Sequence, residues 1–428
     1  MFTPKPTAGD TAWFVQSRFG MFIHWGLYAQ PARHEWVQSL EKIDPAEYAA
    51  RYLPRFNPAH YDPAQWARTA REAGMTYVVV TAKHHEGFCL WDSAYTDFKA
   101  TQTPYGQDLL VPLVQAFRAE GLRVGLYYSL LDWHHPDFTI DVHHPLRDHP
   151  EAERLNAGRQ MPRYAEYVRH QVQELLMRFS PDILWCDFSY PQQAYRGLPG
   201  KGRRDWESEK LLALIRELSP RIILNNRLDL PAAQADVHTP EQVQPTEWVK
   251  VEGEPVVWEA CQTFSGSWGY YRDEETWKSA EQLIGLLINT VACGGNLLMN
   301  VGPTALGTFD PRALKALGVY RDWMARHSSA IYGCTQSTFT APRDCRLTQN
   351  GRQVYVHVFA WPFRHLCLPG LAGRVAYARF LHDGSEVPLT GSEWETGSLG
   401  QRPGEQLLFL PVKKPEVVVP VIELTLKD

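Results

Sequence analysis

The chain has 428 residues, 44% of them hydrophobic and 12% aromatic, with Lys+Arg 43 against Asp+Glu 48 and a formal net charge of -5. That is enough apolar material for one large core and a smaller second one, since single cores stop growing near roughly 250–300 residues. No basic run with interleaved aromatics is present to track phosphates, and no stretch approaches the ~18 apolar residues of a membrane span, so neither nucleic acid nor a membrane is expected as a partner.

The opening MFTPKPTAGDTAWFVQSRFG lacks the apolar h-region of a secretory signal, so the expectation is a cytoplasmic protein. Seven apolar runs then follow in order: FGMFIHWG from Phe19, TYVVVTAKHH from Thr76, LRVGLYYSLLDW from Leu122, DILWCDF from Asp182, RIILNNR from Arg221, PVVWEACQ from Pro255 and NLLMNVGP from Asn296. Val78, Val79 and Val80 are continuous and β-branched, the pattern of a strand buried on both faces. Between the runs lie amphipathic segments such as DPAQWARTAREAG and ESEKLLALIRELS, several closed by Gly or Ser-Pro as helices are. Strand and helix alternating over about 300 residues predict parallel βα units, and seven such runs suit a (β/α)8-like barrel better than an open sheet. After PRALKALGVYRDWMARHSSAIYG the texture changes to QVYVHVFAW, RVAYARFLHDG, QLLFLPV and VVVPVIELTL. These runs predict a small C-terminal antiparallel β-sandwich, giving a barrel over 1–333 and a sandwich over 334–428.

A barrel gathers the carboxyl ends of all its strands on one face. The residues there would be His24 and Trp25, His84 and His85, Tyr128, Trp185 and Asp187, Asn226 and Arg227, and Trp258 and Glu259. Flat aromatic rings stack on the C–H face of a sugar, while imidazole, carboxylate and guanidinium groups bond its hydroxyls, so the mixture reads as a carbohydrate site. No Gly-rich loop with a Lys-Ser/Thr pair supports a phosphate site. His24, His84, His85 and Asp187 could be read as metal ligands, but neither HxH nor HExxH spacing presents two imidazoles to one ion. The seven cysteines (Cys89, Cys186, Cys261, Cys293, Cys334, Cys345, Cys367) form no CxxC pair and give no disulfide or zinc framework. Taken singly, Trp36, Trp185 and Trp258 read as core. The histidine-rich segment from His134 to His149 reads as a solvated insertion at the edge of the cleft.

Glycoside hydrolysis needs two carboxyl groups flanking one bond. Asp187, a carboxylate ending an apolar run, is the nucleophile candidate. Spacing alone leaves Glu241 and Glu259 both open as the second group.

FGMFIHWGLYAQPARHEWV, TYVVVTAKHHEGFCLWDSAYTDF, GLYYSLLDWHHPDF, ILWCDF and GGNLLMNVGPTALG together resemble the α-L-fucosidases of glycoside hydrolase family 29, in order and across the whole presumed barrel. The resemblance implies a retaining exo-hydrolase that releases terminal α-L-fucose from fucosylated oligosaccharides or glycoconjugates through a covalent fucosyl-enzyme, without metal or organic cofactor. By the same resemblance Asp187 is the nucleophile, and His24, His84 and His85 hold sugar hydroxyls. Glu35, Trp36, Tyr128, Trp185 and Arg227 match further sugar-contacting positions, and Glu241 resembles the loop carboxylate that serves as acid/base. That role calls for a buried carboxyl held protonated beside an ionised Asp187. Relatives commonly carry Asp where this chain has Glu86, which keeps the charge. A catalytically silent fucose-binding protein would be betrayed by loss of Asp187 or Glu241, and both are present. Leaving-group specificity and oligomeric state are left open by the sequence.

Overall fold

The computed structural model describes residues 4–391 and 403–428. Its seven apolar runs form seven strands of one sheet: β1 (Phe19–Ile23), β2 (Tyr77–Lys83), β3 (Arg123–Ser129), β4 (Ile183–Asp187), β5 (Ile223–Leu224), β6 (Glu259–Thr263) and β7 (Asn296–Val301). The spatial order is β6-β7-β1-β2-β3-β4-β5, and every neighbouring pair is parallel. The valine run of β2 is wholly buried, as continuous β-branched residues in a covered parallel sheet should be.

Six main helices cover the outside: α1 (Pro63–Glu72), α2 (Leu110–Ala119), α3 (Met161–Phe179), α4 (Ser208–Leu218), α5 (Ala280–Ala292) and α6 (Pro311–His327). Their starts are written locally. Asp62 accepts from Gln65 N at 2.9 Å with Pro63 in the first turn, Ser279 and Gln282 form a reciprocal capping box on α5, and Asp310 caps α6 ahead of Pro311.

β5 and β6 do not pair directly. Residues 237–241 lie between them and close the ring through parallel bridges Asn225 to Val237, His238 to Trp258 and Glu241 to Cys261. His238 N donates to Val257 O and Glu259 N to His238 O, both at 2.9 Å. This eighth stave carries His238, Thr239 and Glu241 instead of an apolar run, which is why its sequence does not read as a strand. Alternation along the seven strands divides their side chains. Phe22, Tyr77, Val79, Tyr127, Trp185 and Leu298 fill the barrel interior, while Met21, Val78, Tyr128 and Leu184 join the larger core shared with the helices.

Beyond Ala330 come β8 (Thr335–Gln336), β9 (Cys345–Asn350), β10 (Gln353–Val358), β11 (His365–Pro369), β12 (Val375–Phe380), β13 (Glu405–Phe409) and β14 (Val421–Leu426). They make an antiparallel sheet of order β8-β9-β10-β14-β12 and an antiparallel pair β11-β13. Val354, Val356, Ile422 and Leu424 of the first pack with Leu366, Leu368 and Leu408 of the second in a separate core. The two parts are tied where Trp323 Nε1 donates to Val419 O at 3.2 Å and Thr348 Oγ1 to Ala330 O at 2.8 Å. All seven cysteines are free thiols. Among the described residues no helix is long and apolar enough to cross a membrane.

Candidate active site

The end of β2 shows how Lys83-His84-His85-Glu86 is accommodated. The register with β3 slips between Thr81 and Lys83, which turns Lys83 out of the barrel. There its Nζ bonds Tyr128 OH at 3.0 Å and Asp132 Oδ2 at 3.2 Å, fully buried among the rings of Tyr128, Tyr164 and Tyr167. The chain turns back at Gly87, whose φ of +89° and closeness to Asp132 leave no room for a side chain: a Cβ would lie 2.2 Å from Oδ1. His84 and His85 are left side by side at the strand mouth, ring centroids 3.9 Å apart. Glu86 points away to accept from Leu27 N and Tyr48 OH, and burial pushes its carboxyl up to about 8.

One pocket at the carboxyl end of the barrel brings together His24, Trp36, His84, His85, Trp185, Asp187 and Glu241 of the residues expected from sequence. Phe22, Tyr127, Phe188, Cys261 and Trp268 complete its wall. Tyr128 is a correction. It lies on the outer face of β3, donating to Gln171 Oε1 at 2.9 Å, and does not reach the pocket. Tyr127 takes the inward place, in register with Trp185, and donates to Asp187 Oδ2 at 2.7 Å. Strand alternation puts only one of the two tyrosines inside, and the register with β4 selects Tyr127, because a residue level with the inward Trp185 points the same way.

Arg227 lies just behind this wall and organises it. Its Nη1 donates to Asp187 Oδ1 at 2.9 Å and to Glu241 Oε2 at 2.7 Å. Nε and Nη2 are anchored on Thr239 of the eighth stave, each at 3.1 Å, and the guanidinium rests 4.6 Å from the Trp185 ring centroid. Because one nitrogen bonds both carboxylates, their facing oxygens lie no farther apart than two hydrogen bonds laid end to end. Retaining enzymes hold their carboxyls about 5–5.5 Å apart, and inverting ones roughly 6.5–9.5 Å.

Burial pushes the Asp187 carboxyl above its ordinary 3.8, and Glu241 adds to this, against the lowering effects of Arg227 and Tyr127. Glu241 is not buried as expected of an acid/base; its side chain keeps 40% exposure and reaches the pocket from the open side. Glu259, the rival candidate, lies beneath the floor. It accepts from Tyr77 OH and from Trp185 Nε1 (3.3 Å), and burial pushes it up to about 7. Glu35 does not line the pocket either. Its buried carboxylate accepts from Gly269 N at 2.8 Å behind Trp268 and faces His34 Nε2 at 3.3 Å.

Burial keeps the three pocket histidines neutral, His24 falling to about 3 and His84 and His85 well below the usual imidazole value. His24 Nδ1 bonds Asn300 Oδ1 at 2.6 Å and His85 Nδ1 bonds Ser129 Oγ at 2.7 Å, while His84 Nδ1 is buried without a partner among the described residues. Neutral rings, with one nitrogen fixed in His24 and in His85, suit hydroxyl recognition. Phe188, directly after Asp187, is held at φ +90°, a backbone conformation that costs about 1–3 kcal/mol and is retained where the surroundings over-determine it. Its ring packs on Trp36, His85 and His143.

The His134–His149 insertion is packed rather than solvated. Asp141, within it, accepts from Lys201 Nζ at 2.6 Å and from Tyr190 OH, and only His143 reaches the rim, edge-on to Trp36. Among the described residues no group of three or more His, Cys, Asp or Glu is arranged to hold a metal ion.

The α-L-fucosidase family profile matches residues 5–329. The plasma α-L-fucosidase of Homo sapiens is 31% identical over 352 residues, spanning 75% of this chain and 69% of that protein. Among solved structures, α-L-fucosidase isoenzyme 1 from Paenibacillus thiaminolyticus superposes with a TM-score of 0.90 at 42% identity, covering 98% of this chain and 99% of that one. A family 29 α-L-fucosidase from Bacteroides thetaiotaomicron, trapped as a covalent intermediate with 2-fluoro-fucosyl fluoride, gives 0.83 at 28% identity, covering 100% and 98%. The chain therefore belongs to the α-L-fucosidases of glycoside hydrolase family 29, a family of retaining enzymes.

Proposed function

We propose that this chain is a retaining exo-α-L-fucosidase in which Asp187 is the nucleophile and Glu241 the acid/base. The observation that carries the reading is the bridging of both carboxylates by Arg227 Nη1, at 2.9 and 2.7 Å, a separation suited to retention. The trapped covalent intermediate of the Bacteroides relative supports the same two-step course.

In the first step an Asp187 oxygen attacks C1 of the fucoside, the C1–O bond to the leaving group breaks, and Glu241 gives its proton to the departing oxygen. In the second, Glu241 removes a proton from water, the water oxygen bonds C1, and the bond from C1 to Asp187 breaks. Fucose leaves with its original anomeric configuration. Two features favour Glu241 over Glu259. Glu241 is in the pocket and partly open to solvent, so it can meet a leaving group and a water, whereas Glu259 is enclosed below Trp185. Tyr127 and Arg227 hold the two Asp187 oxygens, and His24, His84 and His85 are placed for the sugar hydroxyls. Trp36, Trp185, Phe188 and Trp268 offer apolar faces to the ring and to the 6-methyl group. Glu35 acts one layer back, holding the Gly269 turn that presents Trp268. We further take 1–333 as the catalytic unit and 334–428 as an accessory sandwich, supported by their separate cores.

The test is azide rescue with an aryl α-L-fucoside. Asp187→Gly should lose nearly all activity and recover it with azide as the β-fucosyl azide, while Glu241→Ala with azide should give the α-fucosyl azide. An Asp187→Gly variant that keeps its activity would refute the assignment.

A further inference from the structure

Arg18 immediately precedes β1, at the end of the barrel away from the pocket. It is only 4% exposed, and among the described residues no carboxylate pairs with it. A guanidinium has five N–H donors. Nε donates to Cys334 O and Nη1 to Gly294 O, both at 2.7 Å, with Asn296 Oδ1 at 3.5 Å. The two hydrogens on Nη2 have no acceptor among the described residues. Burial pushes the guanidinium down from 12.5 to about 10, the mark of a cation with poor compensation. Such a charge is costly unless something of opposite sign meets it.

Beside it opens a cavity of about 250 Å³, lined by Arg18, Gln16, Trp248, Thr335 and Asn350 among others, with no acidic residue among the described residues of its wall. The space exceeds a single water several-fold and admits a small organic ion. Two unfilled donors, in a wall whose described residues carry no negative charge, define an acceptor-rich, anionic occupant.

We propose that this cavity is a small-oxyanion site, taking a phosphate, sulfate or carboxylate group on Arg18 Nη2. The occupant joins three segments through Arg18: the entrance of β1, the Gly294 turn before β7, and the Cys334–Thr335 start of the sandwich. It therefore clamps the barrel to the sandwich, independently of the chemistry in the pocket.

The experiment is thermal unfolding of the full chain titrated with sodium phosphate, ionic strength being held constant with sodium chloride. The wild type should show a saturable rise in midpoint that chloride does not give. Asn350→Asp places a carboxylate in the wall and should weaken apparent phosphate affinity at least about tenfold, with a midpoint in chloride no lower than wild type. Thr335→Val, which removes a hydroxyl with no surface open to the cavity, is the control and should bind phosphate as the wild type does. Both variants should hydrolyse an aryl α-L-fucoside as the wild type does, which reports that they fold. Parallel sulfate and acetate titrations identify which oxyanion fits best. No saturable rise in the wild type, or an undiminished rise in Asn350→Asp, would overturn the proposal.

Discussion

Replacing Tyr127 by Phe removes one hydroxyl and tests both the register of β3 and the electrostatics of the nucleophile. The hydroxyl is fully buried and donates to Asp187 Oδ2 at 2.7 Å. A hydrogen bond to a charged group contributes about 1.5–3 kcal/mol, and one pKa unit corresponds to about 1.4 kcal/mol. Losing it should therefore cost the Asp187 carboxylate about 1.5–3 kcal/mol of stabilisation and raise its carboxyl further, in the direction that burial already drives it. The assay is kcat/KM on an aryl α-L-fucoside from pH 3 to 9, whose acid limb reports the free enzyme's nucleophile. Tyr127→Phe should move that limb to higher pH, and activity should fall most below it. Tyr128→Phe is the control. Its hydroxyl bonds Gln171 and Lys83 outside the barrel, so its limb should stay in place even if the protein is less stable. An unmoved limb in Tyr127→Phe, or an equal shift in both variants, would refute the reasoning.

Other outcomes follow from the same geometry. Glu259 is raised from 4.5 to about 7, so its stabilising effect is complete below pH 4.5 and is lost as pH rises through 7. Over that window the wild type should lose on the order of 3 kcal/mol of unfolding free energy relative to Glu259→Gln, as read from denaturant midpoints; parallel curves would sink the assignment. Asp132→Ala strands the buried Lys83 ammonium and should cost about 3–5 kcal/mol, seen as a drop in melting temperature, whereas no drop would mean that Lys83 is not a buried cation. Arg227→Ala should lower kcat/KM by about 10²–10³, the scale for removing one preorganised donor from an active site; less than a tenfold loss would show that its bridge between the carboxylates does not matter. Dialysis against EDTA should leave activity unchanged, and a loss restored by a divalent ion would revive the metal reading.

The seven strands were legible because parallel strands covered on both faces must be written in long apolar runs, as in Thr76–Ala82 and Asn296–Val301. The eighth stave was not. It makes three bridges to its neighbours, so polar residues such as His238 and Thr239 suffice, and Thr239 is needed polar to hold Arg227. Carboxylates and imidazoles at strand ends were legible as chemistry because burying them in an apolar context is costly without a purpose. Parity was not legible for Tyr127-Tyr128, two identical residues that only the register with β4 tells apart. His84-His85 escapes the same ambiguity through the bulge after Thr81, which sends both rings to one side. Phe188 and Trp268 come from loops whose path depends on positive-φ turns and on the Glu35 anchor, long-range contacts that no local pattern records.

The most direct test of the two-carboxylate account is to incubate the enzyme with 2-fluoro-fucosyl fluoride, digest it with pepsin, and map the modified peptide by tandem mass spectrometry. The account predicts one fluorofucosyl adduct, on the Asp187 carboxylate at the end of Ile183–Asp187, appearing as activity is lost. A label on Glu241, Glu259 or any other residue, or inactivation without a covalent adduct, would contradict it.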